Sequence, residues 1–300
     1  MIERVPIGID NEEVFSIDAL NRKSGEFALV CKSGNVYLFD QLSCLSKLIG
    51  KLNFPVKYSE DYFTYAELIG DKKELLQITS YGNYVGITQK YGLSGVVLNL
   101  ENFQFNKKLQ RGNYQVEHCT FPIAFFSAEN STYLIHGTDW NRLDITHLES
   151  DKLITERVVD YETHSNYFDY FHSSLSVSPD SKYFTSNGWH WGPCDVITAY
   201  SIEEFLTRFE LAHIALNYGP VDGYNWDRPM GWIDNRTVVI GYNKQEENEG
   251  EGGFPSEIVF VDAPLNEIEI KFRLMASRFL TTAPQRGSFT MTTKSSGSLV

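Results

Sequence analysis

The chain has 300 residues, and its 39 Asp and Glu against 26 Lys and Arg give a formal net charge of −13, a sign that disfavours non-specific nucleic-acid binding. No apolar run approaches the roughly 20 residues of a membrane helix, and the N-terminal residues lack the basic and apolar regions of a signal peptide. The four scattered cysteines include no CxxC pair and are typical of reduced thiols, so we expect a cytoplasmic protein with neither a nucleic-acid nor a membrane partner.

Short β-rich segments bounded by Gly, Asn, Asp or Ser recur in pairs along the chain, a pattern typical of antiparallel hairpins. The five predicted pairs are Glu26–Cys31 with Asn35–Asp40, Tyr84–Thr88 with Gly95–Leu100, Tyr133–Gly137 with Leu143–Leu148, Tyr183–Ser186 with Asp195–Ser201, and Thr237–Tyr242 with Glu257–Asp262. Equivalent positions in these pairs, at Ala28, Tyr84, Tyr133, Tyr183 and Val238, lie 56, 49, 50 and 55 residues apart. A strand-rich repeat of about 50 residues is typical of the blades of a β-propeller.

The repeat predicts an all-β fold, a single β-propeller of five or six blades built from four-stranded antiparallel sheets. We expect residues 1–280 to form this domain, with the segments before Glu26 and after Ile270 supplying edge strands or part of a sixth blade. Residues 281–300 are rich in Ser, Thr and Gly. Their composition leaves two alternatives open, a disordered tail or an altered final blade.

Two segments depart from the strand pattern. Ile202–Ala212 carries apolar residues at helical spacing, which predicts a short helix after the fourth hairpin. Asn243–Gly253 is polar, acidic and rich in Gly, which predicts a mobile loop inserted in the fifth hairpin.

All five tryptophans of the chain fall in three short segments, Asp139–Asp144, Trp189–Asp195 and Tyr224–Trp232. These segments occupy comparable points in three successive repeats, so ring closure is expected to bring them to one end of the propeller. Exposed Trp, Tyr and Arg side chains dominate protein-binding surfaces, which predicts a loop rim for a protein partner. The candidate binding residues on this rim are Asp139, Trp140, Asn141, Arg142, Asp144, Trp189, His190, Trp191, Asp195, Trp226, Asp227 and Arg228.

A packing role for the same residues is the competing interpretation. At repeated positions in propellers, Trp packs between sheets and Asp caps a turn or bonds backbone amides. Arg142 and Arg228 are expected to pair with a nearby Asp. The histidines are expected to be half-buried or surface side chains, each with one hydrogen bond.

The segment FHSSLSVSPDSKYFTS, residues 171–186, resembles the strand–turn–strand signature of WD-repeat-like propellers. The segments HGTDWNRLDI, SPDSKYFTSNGWHWGPCDVI and NWDRPMGWIDNRTVVI are together similar to a group of bacterial propeller-like proteins of unknown function. The likeness covers roughly Phe121 to Asp262. It implies a propeller fold and brings no catalytic residues with it.

Enzyme motifs give little support to a catalytic function. The sequence contains no GxSxG, P-loop, GxGxxG or HExxH motif, so we predict no catalytic residue, no metal and no cofactor. The alternative is a hydrolase or lyase with a carboxylate or His-metal site at the mouth of the propeller channel. Trial members of such a site are Glu117, Asp139, Asp227, His136, His172 and His190. A sugar-binding lectin is a third possibility, because Trp-rich loops suit the faces of sugars.

Overall fold

Twenty strands form five four-stranded antiparallel sheets within the part of the chain that the structure, a computed structural model, describes. The described residues are 7–9, 11–52, 76–158, 168–192, 194–218, 228–242 and 257–273. In every sheet the strands lie in chain order, each hydrogen-bonded to the next. This repeated meander confirms the predicted all-β architecture of four-stranded antiparallel sheets.

Each sheet is built from four consecutive strands. Sheet 1 contains β1 (Val14–Ala19), β2 (Glu26–Cys31), β3 (Asn35–Asp40) and β4 (Leu45–Lys51). Sheet 2 contains β5 (Leu76–Tyr81), β6 (Tyr84–Gln89), β7 (Ser94–Asn99) and β8 (Gln104–Gln110). Sheet 3 contains β9 (Ile123–Ala128), β10 (Ser131–Asp139), β11 (Arg142–His147) and β12 (Lys152–Leu153). Sheet 4 contains β13 (Phe171–Val177), β14 (Tyr183–His190), β15 (Cys194–Ser201) and β16 (Ile214–Ala215), and sheet 5 contains β17 (Met230–Trp232), β18 (Thr237–Tyr242), β19 (Glu257–Asp262) and β20 (Glu267–Arg273).

The five predicted hairpins are all present, each as the second and third strands of one sheet. The predicted bounds of β2, β3, β18 and β19 are the observed ones. Strands β10 and β14 run further than predicted, to Asp139 and His190, so part of the predicted Trp-rich turns belongs to the strands themselves.

The predicted helix after the fourth hairpin has two parts, α1 (Ile202–Arg208) and a 3₁₀ turn at Phe209–Ala212. Ser201 begins α1, because its side chain accepts a hydrogen bond from the backbone N–H of the third helical residue. Phe209 ends it with a φ of 54°, which turns the chain out of the α-helical path. The short helix therefore gives way to a turn that packs against the sheets.

The middle strands of the sheets are buried on both faces, as at β6, where all six residues are buried. Apolar clusters fill the space between successive sheets. They centre on Val30 and Val85 between sheets 1 and 2, Val97 and Leu134 between sheets 2 and 3, Ile145 and Phe184 between sheets 3 and 4, and Ile197 and Val259 between sheets 4 and 5. Burying apolar surface against both neighbours is what stacks the sheets.

The first strand of each sheet lies on the inside of the arrangement. These inner strands are β1, β5, β9, β13 and β17, and each of the first four contacts the next one along the chain. Residues in or just before the first halves of the inner strands line one central cavity, so the strands begin at the same end, termed here the upper end. Because neighbouring strands alternate in direction, the turn between the second and third strands of each sheet also lies at the upper end.

Three predictions about the rest of the chain stay predictions. The inserted loop Asn243–Gly253, the segment 281–300 and the domain boundary at residue 280 all lie outside the described residues. Within the described ranges, no helix has the length and apolar character that crossing a lipid bilayer requires.

Replacing Leu134 with Ala is expected to lower the free energy of unfolding by about 2–5 kcal/mol, because Leu134 is fully buried between sheets 2 and 3. The measurement is urea unfolding followed by tryptophan fluorescence. Leu42→Ala is the matched control, since Leu42 is 81% exposed, and it is expected to change the free energy by less than about 0.5 kcal/mol. Equal losses in the two variants would contradict the described core.

Candidate functional site

A cluster of aromatic side chains lies at the upper end of sheets 3 and 4. It consists of Tyr114, Trp140, Phe171, Trp189 and Trp191, and is termed here the aromatic cluster. The rings of Phe171 and Trp189 are stacked, with centroids 3.9 Å apart and an interplanar angle of 3°. Trp140 packs on Phe171 at 4.4 Å, and Trp191 meets Trp189 edge-on at 5.3 Å. The contacts bring together residues from a loop, two strands and two turns.

The aromatic cluster has a buried floor and an exposed top. Phe171 and Trp189 are 0% and 3% exposed, whereas Trp191 is 49% and Tyr114 is 41% exposed. Tyr114 lies over the cluster, with ring centroids 5.5 Å from Trp140 and 6.3 Å from Trp191. Aromatic rings held by other rings lose little conformational entropy on binding a partner, so the exposed pair is preorganised for contact.

Hydrogen bonds fix the floor. The indole Nε1 of Trp189 donates to Cys119 Sγ at 3.3 Å. Gly188, the residue before Trp189, donates its backbone N–H to the hydroxyl of Tyr170 at 2.7 Å. A Cβ at Gly188 would lie 2.1 Å from the carbonyl oxygen of Phe171, so only Gly permits this close approach of β13 and β14.

The turn between β10 and β11 is tied to the neighbouring sheet. The carboxylate of Asp139 accepts the backbone N–H of Trp140 at 2.8 Å. The backbone carbonyl of Trp140 accepts the N–H of His172 at 3.1 Å, and the amide of Asn141 donates to the carbonyl of Phe168 at 3.3 Å. These bonds hold Trp140 against the start of sheet 4 and so shape the aromatic cluster.

Below this turn, four charged side chains form an ion network. Arg142 binds both carboxylate oxygens of Asp144, at 2.9 and 3.2 Å. Arg157 donates to Asp144 at 2.8 Å and to both oxygens of Glu210, at 2.6 and 2.8 Å. Asp144, Arg157 and Glu210 are each at least 95% buried as side chains. The network joins sheet 3 to the 3₁₀ turn that follows α1.

Burial and charge act in opposite directions on the two carboxylates. Burial would raise the pKa of Asp144, but hydrogen bonds from Thr138 and Arg142 and the charges of Arg142 and Arg157 hold it below its usual value. Glu210 is different, because burial raises its pKa despite the neighbouring Arg157 charge. Arg157 is therefore the cation that the two carboxylates share, and Arg142 is a second cation for Asp144 alone.

Sheet 4 repeats the arrangement with its neighbour. Asp195, at the start of β15, accepts a hydrogen bond from Arg228 at 3.1 Å, and both side chains are nearly fully buried. The Arg228 guanidinium also lies over the ring of Tyr218, 4.9 Å from its centroid. The expected pairing of Arg142 and Arg228 with nearby Asp residues is thus confirmed.

The predicted rim residues divide by exposure. Trp191 is exposed, and Asp139, Trp140, Arg142 and His190 are partly exposed. The buried members are Asn141, Asp144, Trp189, Asp195 and Arg228, whose contacts are internal. Trp226 and Asp227 lie outside the described residues. A binding role for the rim stays a prediction.

The sequence reasoning did not identify Tyr114 or Phe171, which complete the aromatic cluster. Tyr114 lies in the loop that leads into sheet 3, the same kind of position as the predicted segment that leads into sheet 5. That equivalence between repeats was the signal that could have identified it. Arg157 and Glu210 carried no such signal, because they are 53 residues apart in the chain.

His136 and His172 are buried, contrary to the expected half-buried or surface position, and each makes one side-chain hydrogen bond, His136 to Thr146 and His172 to Ser186, both at 3.2 Å. Burial lowers the pKa of His136 to about 4 and that of His172 to about 3, so both are neutral at pH 7. Among the described residues, no group of three or more His, Cys, Asp or Glu side chains is arranged to hold a metal ion.

Comparison with known proteins places the fold. The sequence matches no protein-family model and no curated protein. Among solved structures the chain is similar to U3-55K, a WD40 propeller protein, with a TM-score of 0.52 and 9% sequence identity. The superposition covers 89% of this chain and 66% of the length of U3-55K. At this identity the likeness concerns the fold alone, and that fold is an all-β, WD-repeat-like propeller.

Replacing Arg157 with Met is expected to lower the free energy of unfolding by about 3–5 kcal/mol, because it leaves buried Glu210 without its cation and removes one of the two cations of buried Asp144. Arg208→Met is the matched control. Arg208 forms an exposed pair with Glu204, and its loss is expected to cost less than about 1 kcal/mol. Chemical denaturation of both variants is the measurement, and a loss in Arg157→Met no larger than in the control would contradict the role of the network.

Stability is expected to fall as the pH drops from about 6.5 towards 4. His136 and His172 stay neutral in the folded chain but take up protons at their usual pKa of 6.5 when unfolded, so acid favours unfolding. Each histidine contributes up to about 1.4 kcal/mol per pH unit in this window. Urea unfolding at several pH values should give a shallower pH slope for His136→Gln than for the unchanged protein. Identical slopes would show that His136 is not held neutral.

Proposed function

We propose that this propeller is a non-catalytic interaction scaffold that binds a protein partner through the rim at its upper end. The observation that carries the proposal is the exposure of Trp191 and Tyr114 above the rigid floor of Phe171 and Trp189. Large aromatic side chains on a rigid support are the typical anchors of protein interfaces. The likeness to a WD40 propeller supports a scaffold of this general kind.

The rim has a polar border around its aromatic centre. Asp139 and Arg142 are partly exposed beside Trp140, and His190 lies next to Trp191. A central aromatic anchor surrounded by polar side chains is the usual composition of a protein-binding surface. We therefore infer that the partner packs an apolar side chain on the exposed surfaces of Tyr114 and Trp191 and meets polar groups at the border.

The wider assignments belong to the same proposal. We infer a cytoplasmic protein, a ring of five or six blades formed by residues 1–280, and a segment 281–300 that is either a tail or an altered final blade. The five described sheets support a ring of at least five blades. The net charge of −13 supports a partner other than nucleic acid.

Trp191→Ala is expected to weaken partner binding by about 2 kcal/mol, roughly 30-fold in Kd, with an unchanged melting temperature, because the exposed half of the indole is the proposed anchor. Partners are first captured from native cells and identified by mass spectrometry, and the binding of one purified partner is then measured by calorimetry.

Two further variants make the test specific. Phe105→Ala removes a ring with the same 41% exposure as Tyr114, but on the outer strand β8, and is expected to leave partner binding unchanged. Trp189→Ala removes the buried floor and is expected to lower stability by about 3–5 kcal/mol. If Trp191→Ala binds the partner as well as the unchanged protein, or if turnover of a hydrolase substrate is found, the proposal fails.

A further inference from the structure

The carboxylate of Asp139 lies at the edge of the aromatic cluster. Its Oδ1 accepts the backbone N–H of Trp140 at 2.8 Å and lies against Gly112, where a Cβ would be only 2.1 Å from it. Gly112 is two residues before Tyr114, whose ring meets that of Trp140 edge-on. Asp139 is therefore held between the turn that carries Trp140 and the loop that carries Tyr114.

The second carboxylate oxygen of Asp139 is available to a ligand. Asp139 is partly exposed, and within the described residues its Oδ2 takes part in no hydrogen bond or ion pair. The two arginines below it are already balanced, because Arg142 and Arg157 face the carboxylates of Asp144 and Glu210 in the ion network. The negative charge of Asp139 therefore adds to a network in which two cations meet two anions.

A second carboxylate lies in the segment that leads into sheet 4. Asp169 is exposed, and it forms no ion pair with any described residue. The amide of Asn141 donates to the carbonyl of Phe168, the residue before Asp169, which holds this segment against the turn that carries Trp140. The rim thus has two carboxylates, Asp139 and Asp169, without a cation partner in the described part of the chain.

The connecting sequences outside the described residues supply no compensating cation of their own. Residues 159–167, before the segment of Asp169, and residues 219–227, before sheet 5, contain four acidic residues together and neither Lys nor Arg. The charge pattern of the rim therefore agrees with the net charge of −13 of the whole chain. A surface of this sign attracts cationic partners and repels anionic ones.

Exposed aromatic rings beside a carboxylate suit an arginine side chain in particular. A guanidinium is planar, so it stacks on an aromatic ring and still directs N–H donors at a carboxylate. The rings of Tyr114 and Trp191 have centroids 6.3 Å apart. In an extended peptide, side chains two residues apart lie on the same face at a spacing of about 6.7 Å. Two such side chains therefore match the two exposed rings.

We propose that the protein partner of the rim presents an arginine and an apolar side chain two residues apart in an extended segment. The guanidinium stacks on Tyr114 and pairs with Asp139, and the apolar side chain packs mainly on Trp191. This inference rests on the proposed function, because it names the chemistry of the partner that the rim binds.

The first probe is the heptapeptide Ac-Gly-Leu-Thr-Arg-Thr-Leu-Gly-NH2, which places a leucine two residues from the arginine on both sides. It therefore offers the same pair of side chains in either chain direction. Calorimetry is expected to show binding to the full chain, and the peptide with citrulline in place of arginine, which keeps the shape and loses the charge, is expected to bind roughly tenfold more weakly. The peptide with lysine is expected to bind more weakly than that with arginine, because an ammonium does not stack.

Asp139→Asn tests the carboxylate. Asparagine can still accept the N–H of Trp140, so the melting temperature is expected to be unchanged, whereas the preference for arginine over citrulline is expected to fall from roughly tenfold to about threefold. Asp234→Asn is the matched control. Asp234 is exposed and also accepts a backbone N–H in its own turn, from Arg236 at 2.8 Å, but it lies between β17 and β18 at the opposite end. This variant is expected to keep the full preference.

The outcomes separate this inference from the proposed function. If Trp191→Ala loses a captured partner while the arginine and citrulline peptides bind the unchanged protein equally, the rim binds a protein and this inference is overturned. It is also overturned if neither peptide binds, or if Asp139→Asn keeps the full preference for arginine. If the captured partner binds Trp191→Ala as it binds the unchanged protein, the proposed function fails and this inference fails with it.

Discussion

The structure depends on sheets whose middle strands are buried on both faces. Such a sheet is not stable alone in water, because both of its faces must be covered. A neighbouring sheet of the same kind covers one face and in turn needs a further sheet on its other face. Strand β6, buried at all six positions, shows the requirement most clearly. Stacking sheet on sheet about the inner strands brings turns from distant repeats to the upper end. Both the rim and the cavity are consequences of that geometry.

Charge compensation fixes the orientation of one sheet against the next, which apolar packing alone does not do. Apolar clusters tolerate small rotations of one sheet against the next, whereas Arg157 must reach Asp144 and Glu210 together. Arg228 and Asp195 impose the same condition one sheet further on. The upper end is therefore held by directional bonds directly beneath the aromatic side chains. A surface supported in this way presents its anchors in one arrangement, which lowers the entropic cost of binding.

Local pattern was enough to predict the hairpins, because alternation, turn residues and strand propensity all act within a dozen residues. The Asp partners of Arg142 and Arg228 were predicted for similar reasons, from chemistry that recurs at equivalent points of the repeat. The two-residue strands β12 and β16 could not be predicted from local sequence pattern, since their pairing depends on the neighbouring strand. The same holds for Tyr114, Glu210 and the burial of His136. Their environments depend on contacts between separate repeats, and such contacts cannot be predicted from a short segment of sequence.

The outer strands of the sheets have features that oppose self-association of the protein. Two of them, β12 and β16, have only two residues each and offer almost no unpaired backbone to another chain. The three long ones carry lysines, at Lys47 and Lys51 in β4, Lys107 and Lys108 in β8, and Lys271 in β20. Charge on an exposed strand opposes its pairing with a second copy of the chain, and a very short strand length has the same effect. Within the described part of the chain, the outer strands are thus either very short or carry charge, and the upper end is left available.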